Sequence, residues 1–210
     1  SVFSSILFYN ICKYFFDKKI SYIGLILFTF YPIYIYAASQ ISSINIVILI
    51  NLFFIFSILK FRNYILIGII GGIGLLSRGE FILLYIVSLF YLFWVYQFSI
   101  KKIFLVCVIS FFVVSPYLYR NYITFNKVVI TNSSGYVLWR GNNNLSTIDS
   151  IAADKEIQIL ENQKNKNYEF KNEELKKLDK ELNKIKFNKK YDILRDEIFL
   201  RQAKENIVND

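Results

Sequence analysis

Two arginines stand at the ends of long uncharged stretches. Arg78 lies in the turn 76–80, and Arg120 directly follows the apolar run 103–119. Ionisable side chains at or inside a membrane core are costly, which makes them default functional candidates. The planar guanidinium fork also matches the oxygens of a phosphate group. The two arginines could therefore converge on one anionic head group. The alternative is that Arg78 and Glu80 are ordinary interfacial charges that reach toward water.

A row of amide side chains lies further along, in the segment 139–144, which reads Trp-Arg-Gly-Asn-Asn-Asn. Asparagine tolerates left-handed backbone and hydrogen-bonds to its own chain, so an ordered turn is one interpretation. Amides beside a tryptophan also suit the hydroxyl groups of a sugar. Arg140, Asn142 and Asn143 are therefore candidates for substrate binding.

Carboxylates are scarce in the apolar part, because Asp17 and Glu80 are the only ones before Asp149. The sequence also has no histidine, no glycine-rich phosphate loop, no nucleophile motif and no Cys/His spacing for a metal. If the protein is an enzyme, its general base is Glu80, an acid of the helical tail, or a residue upstream of Ser1. The sequence contains no methionine, so we interpret it as an internal fragment whose catalytic residue stays unknown.

The elements that must position these side chains follow from the charge map. Only ten residues are charged from Ser1 to Tyr119, and hydrophobic residues make up 55% of the chain. About 20 apolar residues cross the roughly 30 Å hydrocarbon core of a bilayer. The sequence therefore predicts an all-α polytopic membrane protein with about six transmembrane helices. The predicted spans are 1–16, 20–38, 44–59, 63–77, 81–98 and 103–119.

The turns between these spans alternate in their number of basic residues. One side carries seven basic residues, whereas the opposite side has only Arg78. The seven are Lys13, Lys18, Lys19, Lys60, Arg62, Lys101 and Lys102. The positive-inside rule places them in the cytoplasm, so everything after Tyr119 should be extracytoplasmic.

The distribution of charge also argues against a nucleic-acid partner. Residues 1–148 carry 11 basic and 2 acidic residues, whereas 149–210 carry 14 of each. The net charge of +9 is therefore a topology signal. Heavy use of Ile, Lys, Asn, Phe and Tyr suggests an AT-rich genome, which favours a bacterial inner (plasma) membrane.

The residues after the last span form two segments of different composition. Residues 120–148 are predicted to form an extracytoplasmic loop with a β-hairpin, whose strands would be 127–131 and 136–139. Residues 149–210 are predicted to be an extracytoplasmic helical segment, because apolar residues recur there at helical spacing. These residues are Leu175, Leu178, Leu182 and Ile185 in one helix, and Leu194, Ile198 and Ile207 in the next.

Two further patterns concern packing inside the membrane. Gly68 and Gly72 are four residues apart, the spacing that lets helix backbones approach closely in lipid. Cys12 and Cys107 lie in apolar runs far apart in the sequence. We therefore expect two buried free thiols rather than a disulfide.

Three stretches resemble the polytopic C-type (GT-C) membrane glycosyltransferases related to protein O-mannosyltransferases and lipid A aminoarabinose transferases. The first, Gly-Ile-Gly-Leu-Leu-Ser-Arg-Gly-Glu at 72–80, is similar to the family's turn GLxxLTRPE, with glycine in place of the usual proline. The second and most specific reads Ser-Pro-Tyr-Leu-Tyr-Arg-Asn-Tyr at 115–122 and continues over 129–143, similar to PWxxRNYxxF…STNGGxNLWxGNNP. The third, 31–39, is similar to a segment before the family's Ser-Glu pair, which here reads Ser43-Ile44.

The resemblance implies an enzyme that takes a polyprenyl-phosphate-linked sugar donor from the bilayer. It would transfer the sugar on the extracytoplasmic face to a glycan, lipid or protein acceptor. In this family the acidic catalytic residues lie in the first extracytoplasmic loop, which would precede Ser1. By itself this fragment should therefore be inactive.

The same resemblance assigns roles to particular side chains. A carboxylate would take the proton from the attacking acceptor hydroxyl. Arg78 and Arg120 would stabilise the departing lipid phosphate as its charge grows. Asn121 belongs to the same motif as Arg120, and Asn142 and Asn143 would shape the loop above the site.

The competing class is a polytopic transporter or flippase of lipid-linked glycans. It would share the spans, the glycine packing and the basic residues. A transporter more often shows repeated halves with interrupted spans in matching positions, whereas this chain has one glycine-rich span. The sugar, the acceptor, the oligomeric state and the use of a divalent metal stay open. Any such metal would be bound mainly by residues outside the fragment.

Overall fold

The computed structural model of the chain describes residues 2–39, 43–130, 133–143, 173–188 and 190–209. All regular structure in those ranges is helical and none of it is a strand, so the all-α prediction is confirmed. The chain divides into two compact units, Ser1–Tyr119 (unit 1) and Arg120–Asp210 (unit 2).

Unit 1 consists of apolar helices joined by short turns. They are α1 (Val2–Phe15), α2 (Lys18–Thr29), α3 (Pro32–Ser39), α4 (Ile44–Phe56), α5 (Tyr64–Ser77), α6 (Phe81–Trp94) and α7 (Ile100–Phe125). A π-helical turn, Ser57–Phe61, continues α4, and α7 leaves the unit after Tyr119. Large apolar side chains such as Leu27, Leu83 and Phe112 are exposed on these helices. Exposed apolar surface on this scale suits a lipid solvent rather than water.

Particular residues set the ends of these helices. Asn63 caps α5, because its Oδ1 accepts hydrogen bonds from the backbone N–H groups of Ile65 at 2.9 Å and Leu66 at 3.4 Å. Arg62 ends the π-helical turn with a φ of 51°, in the left-handed region. Pro32 is the first residue of α3, where its fixed φ is tolerated, and α2 and α3 meet at a bend of 48°.

The helix lengths do not support six transmembrane spans. Within the described residues, two helices are long and apolar enough to cross a bilayer, Ile44–Phe61 and Ile100–Phe125. A third crossing exists if the bent pair α2 and α3 is one span. The helices at the predicted spans 1–16, 63–77 and 81–98 have only 14 residues each.

The number of spans is lower than predicted for a physical reason. A helix of 14 residues is about 21 Å long at about 1.5 Å per residue, shorter than the roughly 30 Å hydrocarbon core. The turns at Asn63 and Arg78 bound α5, and α6 lies between the turn at Arg78 and the left-handed residue Gln97, so neither helix reaches that length. The predicted sixth span, in contrast, is extended. α7 continues past Tyr119 to Phe125 and contains Pro116 in its interior.

A glycine face on α5 allows close packing, as the sequence spacing predicts. A methyl group added at Gly68 would lie 2.8 Å from the Cβ atom of Ile109 in α7, and one at Gly72 would lie 2.6 Å from that of Val113. Such distances leave no room for a side chain. The prediction of close backbone approach at these two glycines is confirmed.

A buried polar chain crosses the same helices. The Tyr85 hydroxyl of α6 donates to Ser110 Oγ of α7 at 2.8 Å, and Ser110 Oγ donates to the Gly68 carbonyl of α5 at 2.8 Å. Hydrogen bonds between helices act as polar glue in an apolar bundle. α5, α6 and α7 are thereby held in one register.

Three basic turns lie together at one end of unit 1. Arg62, between α4 and α5, contacts Tyr14 at the end of α1 and Tyr96 in the turn between α6 and α7. The opposite end of the unit carries the start of α1, the bend between α2 and α3, and the turn at Arg78. Cys12 and Cys107 are free thiols, as predicted, and are partly rather than fully buried.

Unit 2 contains the end of α7 and three further helices in its described ranges. These are α8 (Ser134–Gly141), α9 (Glu173–Leu182) and α10 (Tyr191–Asn209). Their core consists of Trp139, Leu178, Phe199 and Ala203, all of them buried. The Trp139 ring lies 5.2 Å from that of Phe199.

The predicted β-hairpin is wrong. Tyr136 to Trp139, assigned to its second strand, lie in α8, and Thr131 lies outside the described residues. The Asp196 carboxylate of α10 accepts the backbone N–H groups of Gly135 at 3.0 Å and Tyr136 at 2.9 Å. Those groups open α8, where a carboxylate is favourable. A partner distant in sequence therefore decides between helix and strand.

The helical pattern of the tail is found in α9 and α10, and the predicted face of α10 is partly right, because Ile198 packs on the core. Leu178 is buried and Leu182 packs on the core, as the predicted stripe requires. On α10, however, Leu194 and Ile207 are exposed, and the buried positions are Ile193, Phe199, Gln202 and Ala203. Leu175 is in α9, but its side chain lies outside the described part.

Candidate functional site

A small pocket opens at the end of unit 1 that is opposite the basic turns. Its volume is about 240 Å³, and it lies between α1, α2, α3 and α4. That volume is below the roughly 300 to 1,000 Å³ typical of sites for drug-sized ligands, so it suits a single small ring. Its lining includes five residues with hydroxyl or amide groups, here called the polar pocket: Ser4, Ser5, Thr29, Tyr34 and Asn45.

The bend at Pro32 positions one wall of the polar pocket. Because the chain turns there, Tyr34 of α3 packs back against Phe28 of α2, with ring centroids 4.9 Å apart. The Phe28 ring stacks in turn on Phe8 of α1 at 4.4 Å. Aromatic rings present flat apolar faces beside the hydroxyl of Tyr34.

Neutral polar groups lie among apolar side chains such as Ile35 and Ile48 in the rest of the polar pocket. Asn45 Nδ2 donates to the Ala37 carbonyl at 2.9 Å, which fixes the orientation of its amide. Thr29 Oγ1 donates to Ser5 Oγ at 3.5 Å. The lining residues of the polar pocket carry no charge. Hydroxyl, amide and aromatic groups of this kind can bind and orient a sugar ring, but they supply no acid or base.

Arg78 and Glu80 lie in the turn at the same end of unit 1. Arg78 follows the last residue of α5, and its Nη2 lies 3.6 Å from Glu80 Oε1. Their side chains are 51% and 78% exposed. An exposed ion pair of this kind contributes little to stability. Arg78 therefore remains able to exchange Glu80 for an incoming anion.

Arg120 and Asn121 belong to unit 2 and lie within α7, not beyond its end. Arg120 Nη1 donates to Asn121 Oδ1 at 3.3 Å. Asn121 is only 2% exposed, and its Nδ2 donates to the Val129 carbonyl at 2.7 Å. Asn121 therefore fixes the segment that follows α7, while Arg120 is exposed.

Asn142 and Asn143 cap the last turn of α8. Asn142 Nδ2 donates to the Leu138 carbonyl at 2.8 Å, and Asn143 Nδ2 donates to the Trp139 carbonyl at 2.8 Å. Carbonyls at a helix end lack partners within the helix, so these amides satisfy them. Arg140 lies on α8 and is half-buried. Asn142 and Asn143 thus bond to their own helix, as the interpretation of segment 139–144 as an ordered turn expects.

The six predicted substrate-binding residues fall in different units. Arg78 is in unit 1, whereas Arg120, Asn121, Arg140, Asn142 and Asn143 are in unit 2. The polar pocket was missed by the sequence analysis. A signal was present, because Thr29 and Asn45 are hydrogen-bonding residues inside the uncharged run 20–59. The third resembling stretch, 31–39, supplies Tyr34 to the pocket.

The described residues contain no group of three or more His, Cys, Asp or Glu side chains that could hold a metal ion. We therefore derive no chemical step through a metal from these residues.

The comparison with protein families identifies the family of the chain. The family described as dolichyl-phosphate-mannose-protein mannosyltransferase matches residues 1–119, more than half of the chain. The chain belongs to this mannosyltransferase family. No curated protein and no solved structure matches the chain.

Membership confirms the resemblance to C-type (GT-C) glycosyltransferases that the motifs indicate. It places the chain among the membrane glycosyltransferases, and the apolar helices identify an integral membrane protein. The matched region contains the polar pocket, Arg78 and Glu80. It ends at Tyr119, immediately before Arg120, so most of the second resembling stretch lies beyond it.

Proposed function

We propose that this member of the mannosyltransferase family transfers a sugar from a polyprenyl-phosphate-linked donor to a glycan, lipid or protein acceptor. The transfer takes place on the extracytoplasmic face of a bacterial inner membrane, which the chain crosses several times. The observation that carries the proposal is the family match, because it covers all of unit 1 and with it the polar pocket.

The polar pocket binds the sugar of the donor in this proposal. Its neutral hydroxyl and amide groups, among them Thr29 and Asn45, exchange hydrogen bonds with sugar hydroxyls, and the Tyr34 and Phe28 rings cover an apolar face. The pocket lies at the end of unit 1 away from the basic turns. By the positive-inside rule that end faces the extracytoplasmic side.

The arginines act on the lipid phosphate. In the reaction the acceptor oxygen bonds to the anomeric carbon, and the bond from that carbon to the phosphate oxygen breaks. The lipid phosphate leaves with the electron pair, and a carboxylate takes the acceptor's proton. Arg78 and Arg120 each supply a guanidinium that stabilises charge on a phosphate oxygen. Within unit 1 Glu80 is the candidate base, since Asp17 lies at the other end of that unit. An acid of the helical tail and a residue upstream of Ser1 are the alternatives.

The test is a transfer assay in membranes that contain the full-length protein and a radiolabelled polyprenyl-phosphate sugar. Thr29→Val and Asn45→Ala each remove a hydrogen-bonding group from the polar pocket. A neutral hydrogen bond contributes about 0.5 to 1.5 kcal/mol, so each variant should raise the KM for the donor roughly 3- to 10-fold. Ser115→Ala is the control, because Ser115 Oγ bonds only to its own helix, at the Phe112 carbonyl.

The outcomes separate the candidate functions. Unchanged donor kinetics in both pocket variants would show that the sugar binds elsewhere. A wild-type protein that moves the lipid-linked sugar across vesicles without transferring it would instead identify a flippase.

A further inference from the structure

A second groove lies at the basic end of unit 1, far from the polar pocket along the helices. It has a volume of about 340 Å³ and lies between α1 and the π-helical end of α4. Apolar side chains, Ile11, Phe56 and Leu59, form its walls, while Lys13 and Lys60 supply positive charge. We call it the basic groove.

An aromatic and cationic cluster borders the basic groove. Tyr14 lines the groove and its hydroxyl accepts a hydrogen bond from Arg62 Nη2 at 3.4 Å. The Arg62 guanidinium also lies 4.2 Å from the centre of the Tyr96 ring, where a cation is attracted to the aromatic face. The hydrogen bond that Arg62 donates to the Tyr14 hydroxyl raises the pKa of Arg62 above its usual value. The cluster holds α1, α4 and α6 together beside the groove.

Three other cations at this end also lie over aromatic rings. Lys60 Nζ is 5.5 Å from the Phe56 ring centre, Lys18 Nζ is 5.9 Å from that of Tyr22, and Lys102 Nζ is 5.4 Å from that of Phe98. Amphipathic side chains placed in this way mark the level where hydrocarbon gives way to head groups. Within the described ranges, this end of unit 1 carries seven basic residues and one acidic residue, Asp17.

We propose that the basic groove binds an anionic phospholipid of the cytoplasmic leaflet, with its phosphate between Lys13 and Lys60 and an acyl chain along Ile11, Phe56 and Leu59. The charge complementarity selects the occupant, because the polar end of the groove is cationic and its walls are apolar. Basic pockets between transmembrane helices on the cytoplasmic side bind such head groups. The site is separate from sugar transfer and does not depend on the proposed function.

The test uses the purified protein in nanodiscs of phosphatidylcholine with added phosphatidylglycerol, and measures bound phosphatidylglycerol by native mass spectrometry. Each lysine near an anionic head group contributes about a fivefold gain in affinity. The Lys13→Gln/Lys60→Gln double variant should therefore bind about 30-fold more weakly. Lys18→Gln/Lys19→Gln is the matched control, because it removes the same charge at the same end without altering the groove lining.

Three results would overturn the proposal. The first is an equal loss of binding in the groove variant and in the control variant, and the second is no loss of binding in the groove variant. The third is displacement of the lipid by millimolar inorganic phosphate, which would indicate a site for free anions. Lys13→Arg/Lys60→Arg keeps both charges and should retain binding. This variant separates loss of the site from loss of the fold.

Discussion

Arg120 has more hydrogen-bonding capacity than the structure uses. A guanidinium carries five N–H donors, and the bond to Asn121 Oδ1 engages Nη1. The remaining donors can serve a phosphate. Arg120→Ala should therefore lower the transfer rate about 100-fold or more, as the loss of a group that stabilises developing charge does. Arg120→Lys should retain part of the rate, since lysine keeps the charge without the planar fork.

The control for this prediction is Arg201→Ala in the same unit. Arg201 is an exposed arginine that pairs with Glu181 at 2.6 Å on the α9 and α10 surface. Steady-state transfer rates with the lipid-linked donor compare the two. Equal rates in wild type and Arg120→Ala would remove Arg120 from the phosphate site.

At this scale the sequence identifies residue types but not the bonds they have already made. The sequence predicts a role for Asn142 and Asn143 because amides can bind sugar hydroxyls. It predicts one for Asn121 because that residue belongs to the same motif as Arg120. The structure shows each Nδ2 donating to a backbone carbonyl of its own chain. The sequence does not predict Thr29 and Asn45 as site residues, because a single polar residue in an apolar run belongs to no motif. Only the folded arrangement of four helices brings them together.

The glycine face of α5 makes a prediction about packing. Gly72→Ala should destabilise unit 1 by about 1 to 3 kcal/mol, the usual cost of overpacking. That cost outweighs the gain of about 1 kcal/mol in helix propensity. The physical reason is that a methyl group there would lie 2.6 Å from Val113 Cβ and 2.9 Å from the Ser110 carbonyl oxygen. Thermal unfolding in detergent, followed by circular dichroism, measures the change.

Gly79→Ala provides the comparison. A methyl group at Gly79 meets nothing within 4 Å, and its φ is not positive. Its stability should stay within about 0.5 kcal/mol of wild type, as for most surface substitutions. If both variants unfold at the wild-type temperature, the close contact between α5 and α7 does not contribute to stability.

Helices were predictable where a long apolar run specifies them without help from other elements. The runs 63–77 and 103–119 both became helices, and the four-residue glycine spacing predicted close packing correctly. The hairpin failed because α8 depends on Asp196, about 60 residues away. β-branched and aromatic residues favour a strand only while no distant partner opposes it.

The whole molecule makes a prediction about sidedness. In a Cys12→Ser/Cys107→Ser background, Lys19→Cys and Gly79→Cys should react with a membrane-impermeant thiol reagent from opposite sides. The reason is that Lys19 lies at the basic end of unit 1 and Gly79 at the other. The positive-inside rule places Lys19 in the cytoplasm. Labelling of intact cells and of inverted vesicles distinguishes the two sides.

Labelling of both cysteines from one side would mean that the unit does not span the bilayer between them. This test also bears on the number of crossings. The charge map alone indicated which turns share a side, and Arg62, Tyr14 and Tyr96 do meet at one end. It could not give helix length, because the turns at Asn63 and Arg78 limit α5, and those at Arg78 and Gln97 limit α6, to 14 residues.

The π-helical turn at Ser57–Phe61 sets the direction in which the residues after it face. A π-helical turn contains one residue more than the α-helical turn that it replaces, so the feature is equivalent to a one-residue insertion in a regular helix. Each residue of an α-helix turns the chain by about 100°. Without the insertion, Lys60 and Arg62 would rotate away from α1, while the helix would still be long enough to cross the membrane. The lining of the basic groove therefore depends on one residue of helix register.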